Sequence, residues 1–262
     1  MIKKLTTLFI FATLISSCVT TPVSNKSALI LVPFEQELAL GVQAFDEIKK
    51  NEKESTNTRL KEIVYRVGKR IADVSDMPDL EWEFKLIESE QQNAFALPGG
   101  KVAVYTGILP VALNEAGLAT ILGHEIGHAI ARHGAQRMSQ QMILQGAMTA
   151  AAVNIQSSSN RAMIMTALGL GANIGITLPF SRSNESEADD IGLVYMARAG
   201  YDPSEAINFW SRFNNEKKEQ PPELLSTHPS DDTRIRSLES QLEDALKIYK
   251  ASPQKFGVGE TF

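Results

Sequence analysis

"LATILGHEIGHAIARHGAQRM", Leu118 to Met138, is the stretch on which the fold turns. Its apolar spacing reads as one helix, capped by Asn114 and running from about Glu115 to Met138, yet it carries His124, His128 and His133. Residues four apart on a helix lie on one face, so His124 and His128 present imidazole nitrogens to a single metal ion. Glu125 stands one step round from His124, near enough to reach a metal-bound water without binding the metal. His133, five residues past His128, is turned off that face and reads as a surface residue or an outer neighbour of the site.

A catalytic zinc takes three protein ligands and keeps one position open, so a third donor has to come from elsewhere. In "FSRSNESEADDIG", Phe180 to Gly192, Glu185 and Asp189 are again four apart. On a helix they share a face, as a ligand and a second carboxylate one turn on; the same spacing also describes an ordinary solvated acidic face. His228, in "STHPS", has two open readings. It is either a helix-entry residue beside Pro229 or an imidazole that takes the open metal position and keeps the site latent. Arg182 and His228 are the two candidates for stabilising negative charge on a reacting carbonyl oxygen.

Outward from this stretch, helical periodicity covers about 34–50, 57–74, 184–199, a segment starting at Asp202-Pro203, and 231–250. "LEWEFKLIES" and "KVAVYTG" alternate apolar and polar side chains as strands do, the second following the turn "LPGG". A small antiparallel sheet is therefore expected beside the histidine helix. Within it, Lys101, Val102, Ala103, Val104 and Tyr105 are expected to form an edge strand that an extended peptide extends, or else a plain core strand. The apolar segment 141–180 reads as a buried or membrane-touching hairpin, because Asn173, its glycines and Pro179 argue against a span.

The chain has 262 residues, 43% hydrophobic and 22% charged, with a formal net charge of -5 and both signs interspersed. That is enough to bury a sizeable core, and it offers no basic surface for nucleic acid. "MIKKLTTLFIFATLISSC" has the order of an export signal, and "LISSC" resembles the lipobox of bacterial lipoproteins, with Cys18 as the lipidated residue. The expected organisation is a signal peptide over 1–17, a lipidated N-terminus and flexible tether over 18–33, one domain over 34–250 and a tail over 251–262. Val19 after the cysteine points to an outer-membrane lipoprotein facing the periplasm, held to the membrane by its lipid anchor.

"HEIGHAIARH" followed by "SRSNESEAD" resembles the zinc metallopeptidases grouped with the CAAX prenyl endopeptidase, the HtpX membrane protease and a mitochondrial inner-membrane peptidase. Their pattern is His-Glu-x-x-His followed by Glu-x-x-Ala-Asp. "NAFALPGGKVAVYTGIL" resembles the strand-turn-strand of the same family, and the likeness runs from about Glu35 to Leu238. Without the several membrane spans of the other branches, the chain is most similar to the periplasmic lipoprotein branch of BepA-like and LoiP-like proteins. The resemblance implies a mostly helical α+β, zincin-like fold and one zinc ion per chain on His124, His128 and Glu185. It implies Asp189 as the hydrogen-bond acceptor of His124, with Glu125 as general base. The implied activity is endopeptidase cleavage of misfolded or unassembled envelope proteins, with the outer-membrane assembly machinery as a partner. The rival is an envelope chaperone or assembly factor with a structural or nearly silent zinc site; an intact Glu125 favours the enzyme.

Overall fold

The computed structural model describes residues 18–21, 23–155, 181–215, 224, 228 and 232–262. The signal segment expected over 1–17 lies outside the described residues, as does the hairpin expected over 141–180 from residue 156 onward. Two short strands, β1 (Cys18–Thr20) and β2 (Ser27–Leu29), come first. Helices α1 (Phe34–Asn51) and α2 (Thr58–Asp73) follow, then strands β3 (Glu83–Ile87), β4 (Ala94–Leu97) and β5 (Lys101–Tyr105). A 3-10 turn and the short helix α3 (Leu109–Ala112) lead to α4 (Glu115–Ile130) and α5 (His133–Ile155). Helices α6 (Arg182–Arg198), α7 (Ser204–Asn215) and α8 (Asp232–Ala251) complete the α+β fold. Among the described residues, no helix is long and apolar enough to cross a membrane.

The sheet differs from the expected antiparallel one. Its order is β3-β5-β4, with β3 parallel to β5 and only β4 antiparallel to it. Lys101–Tyr105 is therefore the central strand and not an edge: it is hydrogen-bonded on both sides and buried at every position. Even Lys101 is 7% exposed, its Nζ donating to the Glu81 carbonyl at 2.7 Å. Alternation identifies a strand, but neighbours are set by packing, and here the free edge beside α4 belongs to β4.

The segment expected as a flexible tether over 18–33 and the tail over 251–262 both pack on the domain. β1 and β2 pair antiparallel, with Val19 opposite Ala28, and Ala28 and Ile30 pack against Ala135 of α5. At the other end, Glu115 and Ala116 donate their backbone N–H groups to the carbonyls of Glu260 and Val258, at 2.9 and 3.0 Å. The first N–H groups of a helix have no partner within it, so the 251–262 segment caps α4 together with the Asn114 side chain, which accepts from Gly117 at 2.9 Å.

Helix α4 is buried nearly throughout and crosses α6 where Gly123 meets Gly192. A Cβ on Gly192 would stand 2.8 Å from Gly123 C and 2.8 Å from the His124 backbone nitrogen. Backbone atoms there have nowhere to retreat. Gly192→Ala is expected to cost about 1–3 kcal/mol as overpacking, seen as a lowered Tm with weakened metal binding. An unchanged Tm and metal affinity would mean that this close approach does not set the distance between the two helices.

Candidate active site

Helices α4 and α6, with the residue His228, bring four donors together. Ligand atoms of His124, His128, Glu185 and His228 all lie within 4.8 Å of one another, and all four residues are buried. His124 Nε2 is 3.1 Å from His128 Nε2 and 3.3 Å from His228 Nδ1. Glu185 Oε1 is 3.1 Å from His228 Nδ1 and 3.5 Å from His128 Nε2, and Glu185 Oε2 is 3.4 Å from His124 Nε2. Donors at zinc bond lengths in a tetrahedron stand about 3.3 Å apart, so the spacing and the N/O chemistry of the set both fit zinc.

The outer contacts order the site. His124 Nδ1 is 2.9 Å from Asp189 Oδ1, and that carboxylate accepts from Arg234 Nε and Nη2 at 2.7 Å each. Arg234 Nη1 also stands 3.0 Å from Glu185 Oε2, and its guanidinium lies 4.1 Å from the Trp210 ring centroid. Arg234 is thus a buried cation of the site, and nothing in the sequence marks it. It sits in the charged "DDTRIRSLESQ", where any arginine looks solvated. Arg182, the candidate singled out instead, is exposed at the start of α6.

Burial opposes charge at all these groups, and neighbours decide the outcome. Although burial favours neutral imidazole, the Asp189 and Glu185 carboxylates push His124 up to about 9 in the metal-free protein. Burial likewise opposes ionisation of Glu185, but His124 and His228 hold it down at about 2. Asp189 is lowered because Arg234 outweighs its burial. Burial and the neighbouring imidazoles take His128 well below the usual histidine range. Glu125 goes the other way: burial raises it, against His228, His124 and the backbone amide of Ala96. A carboxyl displaced upward in a buried site is suited to accepting a proton. Its Oε1 is buried without a hydrogen-bond partner among the described residues, 3.6 Å from His228 Nε2.

The expected single helix to Met138 is interrupted. α4 ends at Ile130, Arg132 adopts φ 56, and α5 starts at His133. The helical wheel no longer applies across this break. His133 is 1% exposed, with Nδ1 2.9 Å from His128 Nδ1, so it is a buried neighbour of the site and not a surface group.

A cleft of about 240 Å³ opens beside the cluster, lined by Asn93, Phe95, Leu97, Glu125, His128 and Arg137 among others. It follows β4, not the expected Lys101–Tyr105 strand. The model of the family described as peptidase family M48 matches residues 56–242, which takes in every donor of the cluster. The chain belongs to peptidase family M48. Members of this family are metalloproteases that use zinc, in agreement with the fit of the donor set.

This M48 chain is 41% identical over 184 residues to the mitochondrial metalloendopeptidase OMA1 of Schizosaccharomyces pombe, covering 70% of this chain and 53% of that protein. It is 31% identical over 257 residues to the Saccharomyces cerevisiae protein of the same name, covering 88% and 71%. To the beta-barrel assembly-enhancing protease of Escherichia coli it is 25% identical over 244 residues, covering 90% and 50%. The chain thus spans about half the length of the first and third of these relatives. The matches correct the expected address. Relatives in two yeasts, Arabidopsis thaliana, Bos taurus and Homo sapiens are all named as mitochondrial, which overturns an outer-membrane lipoprotein facing the periplasm.

Proposed function

We propose that this chain is a zinc-dependent endopeptidase in which His124, His128 and Glu185 hold the metal and Glu125 is the general base. The observation that carries the reading is the placement of Glu125, whose buried Oε1 has no hydrogen-bond partner among the described residues, next to the four-donor cluster. A structural metal site has no use for such a base, which argues against a chaperone with a silent zinc.

Bound zinc supplies Lewis-acid polarisation of a scissile carbonyl and acidifies a water. Glu125 takes the proton of the attacking water and passes it to the leaving amine. Asp189, accepting from His124 Nδ1–H, keeps that imidazole in the tautomer whose Nε2 lone pair faces the metal. Substrate backbone is bound at β4, the outer strand beside α4: the Ala96 amide faces Glu125, and an extended peptide adds there as a further strand. Binding through main-chain hydrogen bonds suits misfolded or unassembled proteins as substrates. The similarity to a relative named for β-barrel assembly points the same way.

His228 Nδ1 lies among the metal donors and so fills the position that a substrate water needs. We read this as the latent state, opened when His228 withdraws. Chelation should abolish cleavage of casein and added zinc should restore it. His228→Ala should cleave casein faster than the unaltered protein; equal or slower cleavage would reject latency and leave His228 the oxyanion role.

A further inference from the structure

The left-handed Arg132 turns the chain so that His133 folds back behind the metal donors, its ring 4.8 Å from that of His128 and 75° to it. The two Nδ1 atoms stand 2.9 Å apart, so one carries a hydrogen and the other a lone pair. His128 Nε2 faces the cluster, 3.1 Å from His124 Nε2, and needs its lone pair there. Its hydrogen therefore sits on Nδ1 and is donated to His133 Nδ1. The hydrogen of neutral His133 then sits on Nε2, which faces Glu187 Oε2 at 3.4 Å. Each tautomer follows from the one before it.

Glu187 is 3% exposed and is fixed in turn from the N-terminal segment. Thr21 Oγ1 and Ser24 Oγ donate to its Oε1, the latter at 2.5 Å, and Lys26 Nζ is 3.7 Å from Oε2. Asp189 does for His124 through one contact what this series does for His128 through two. We propose that His133 and Glu187 are positioning residues that hold His128 in its metal-binding tautomer, with Thr21 and Ser24 anchoring the carboxylate at the end. This rests on the metal reading given above. It assigns a task to polar residues of a segment that otherwise reads as a linker.

The test is zinc affinity, measured on the full chain by competition with a chelator. His133→Ala is expected to bind zinc about 10–100-fold more weakly, the usual effect of removing an outer partner of a ligand. His133→Asn keeps an acceptor oxygen near the place of Nδ1 and is expected to stay within about threefold of the unaltered protein. Glu187→Ala should weaken zinc in the same direction as His133→Ala. Undiminished affinity in His133→Ala overturns the proposal, and so does equal weakening in the alanine and asparagine variants, which would make His133 a packing residue only. Undiminished affinity in Glu187→Ala removes Glu187 from the relay. If the unaltered protein takes up no zinc, the metal reading falls with it, a result separate from any of these.

Discussion

Glu125→Gln is expected to keep its zinc and to lose peptide hydrolysis by roughly 10²–10⁴-fold, the contribution of a positioned general base. Glutamine has nearly the same shape and cannot take a proton from water. The carboxyl lies outside the hydrogen-bonded donor set, with Oε1 lacking a hydrogen-bond partner among the described residues, so the ligands stay in place when it is neutralised. Burial raises the Glu125 pKa, so a neutral amide at this position avoids the desolvation cost that the carboxylate bears. Casein cleavage and zinc content measured on one preparation decide the matter. Retained zinc with undiminished cleavage would remove Glu125 from the chemistry.

Arg234→Ala should have the largest effect on stability. The guanidinium donates twice to Asp189 at 2.7 Å and stands 3.0 Å from Glu185, and the arginine is only 6% exposed. Removing it leaves two buried carboxylates with only the His124 imidazole between them, at a cost of about 3–5 kcal/mol. For a chain of this size the metal-free Tm should fall by on the order of 10 °C. Arg234→Lys should recover only part of that, because a single ammonium cannot reproduce the forked contact with Asp189 while reaching Glu185. A metal-free Tm within about 2 °C of the unaltered protein would show that the neighbouring imidazoles, not Arg234, balance these carboxylates.

Much of the site was legible because its chemistry has a period. The four-residue spacing of His124 and His128, the Asn114 cap and the apolar run between them all describe one helix, and α4 starts where they say. Glu185 and Asp189 were legible only through family resemblance, since their spacing alone also suits a solvated helix face. What escaped the sequence was decided by tertiary contact. Arg132 has an ordinary helix-forming side chain, and only its φ of 56 ends α4 and swings His133 inward. Arg234 looks like any arginine of a charged helix until Trp210, Asp189 and Glu185 enclose it. Thr21 and Ser24 read as tether, yet their hydroxyls are committed to Glu187. β5 was recognisable as a strand, while its central place depends on β3 and β4 flanking it.

In the proposed enzyme, α4 and α6 jointly form one metal site with Glu185 as a ligand. Zinc content per chain, determined by elemental analysis after dialysis for the unaltered protein and for Glu185→Ala, tests it directly. One zinc per chain is expected in the unaltered protein and almost none in the variant, with both still folded. A Glu185→Ala chain that keeps a full equivalent of zinc would contradict it.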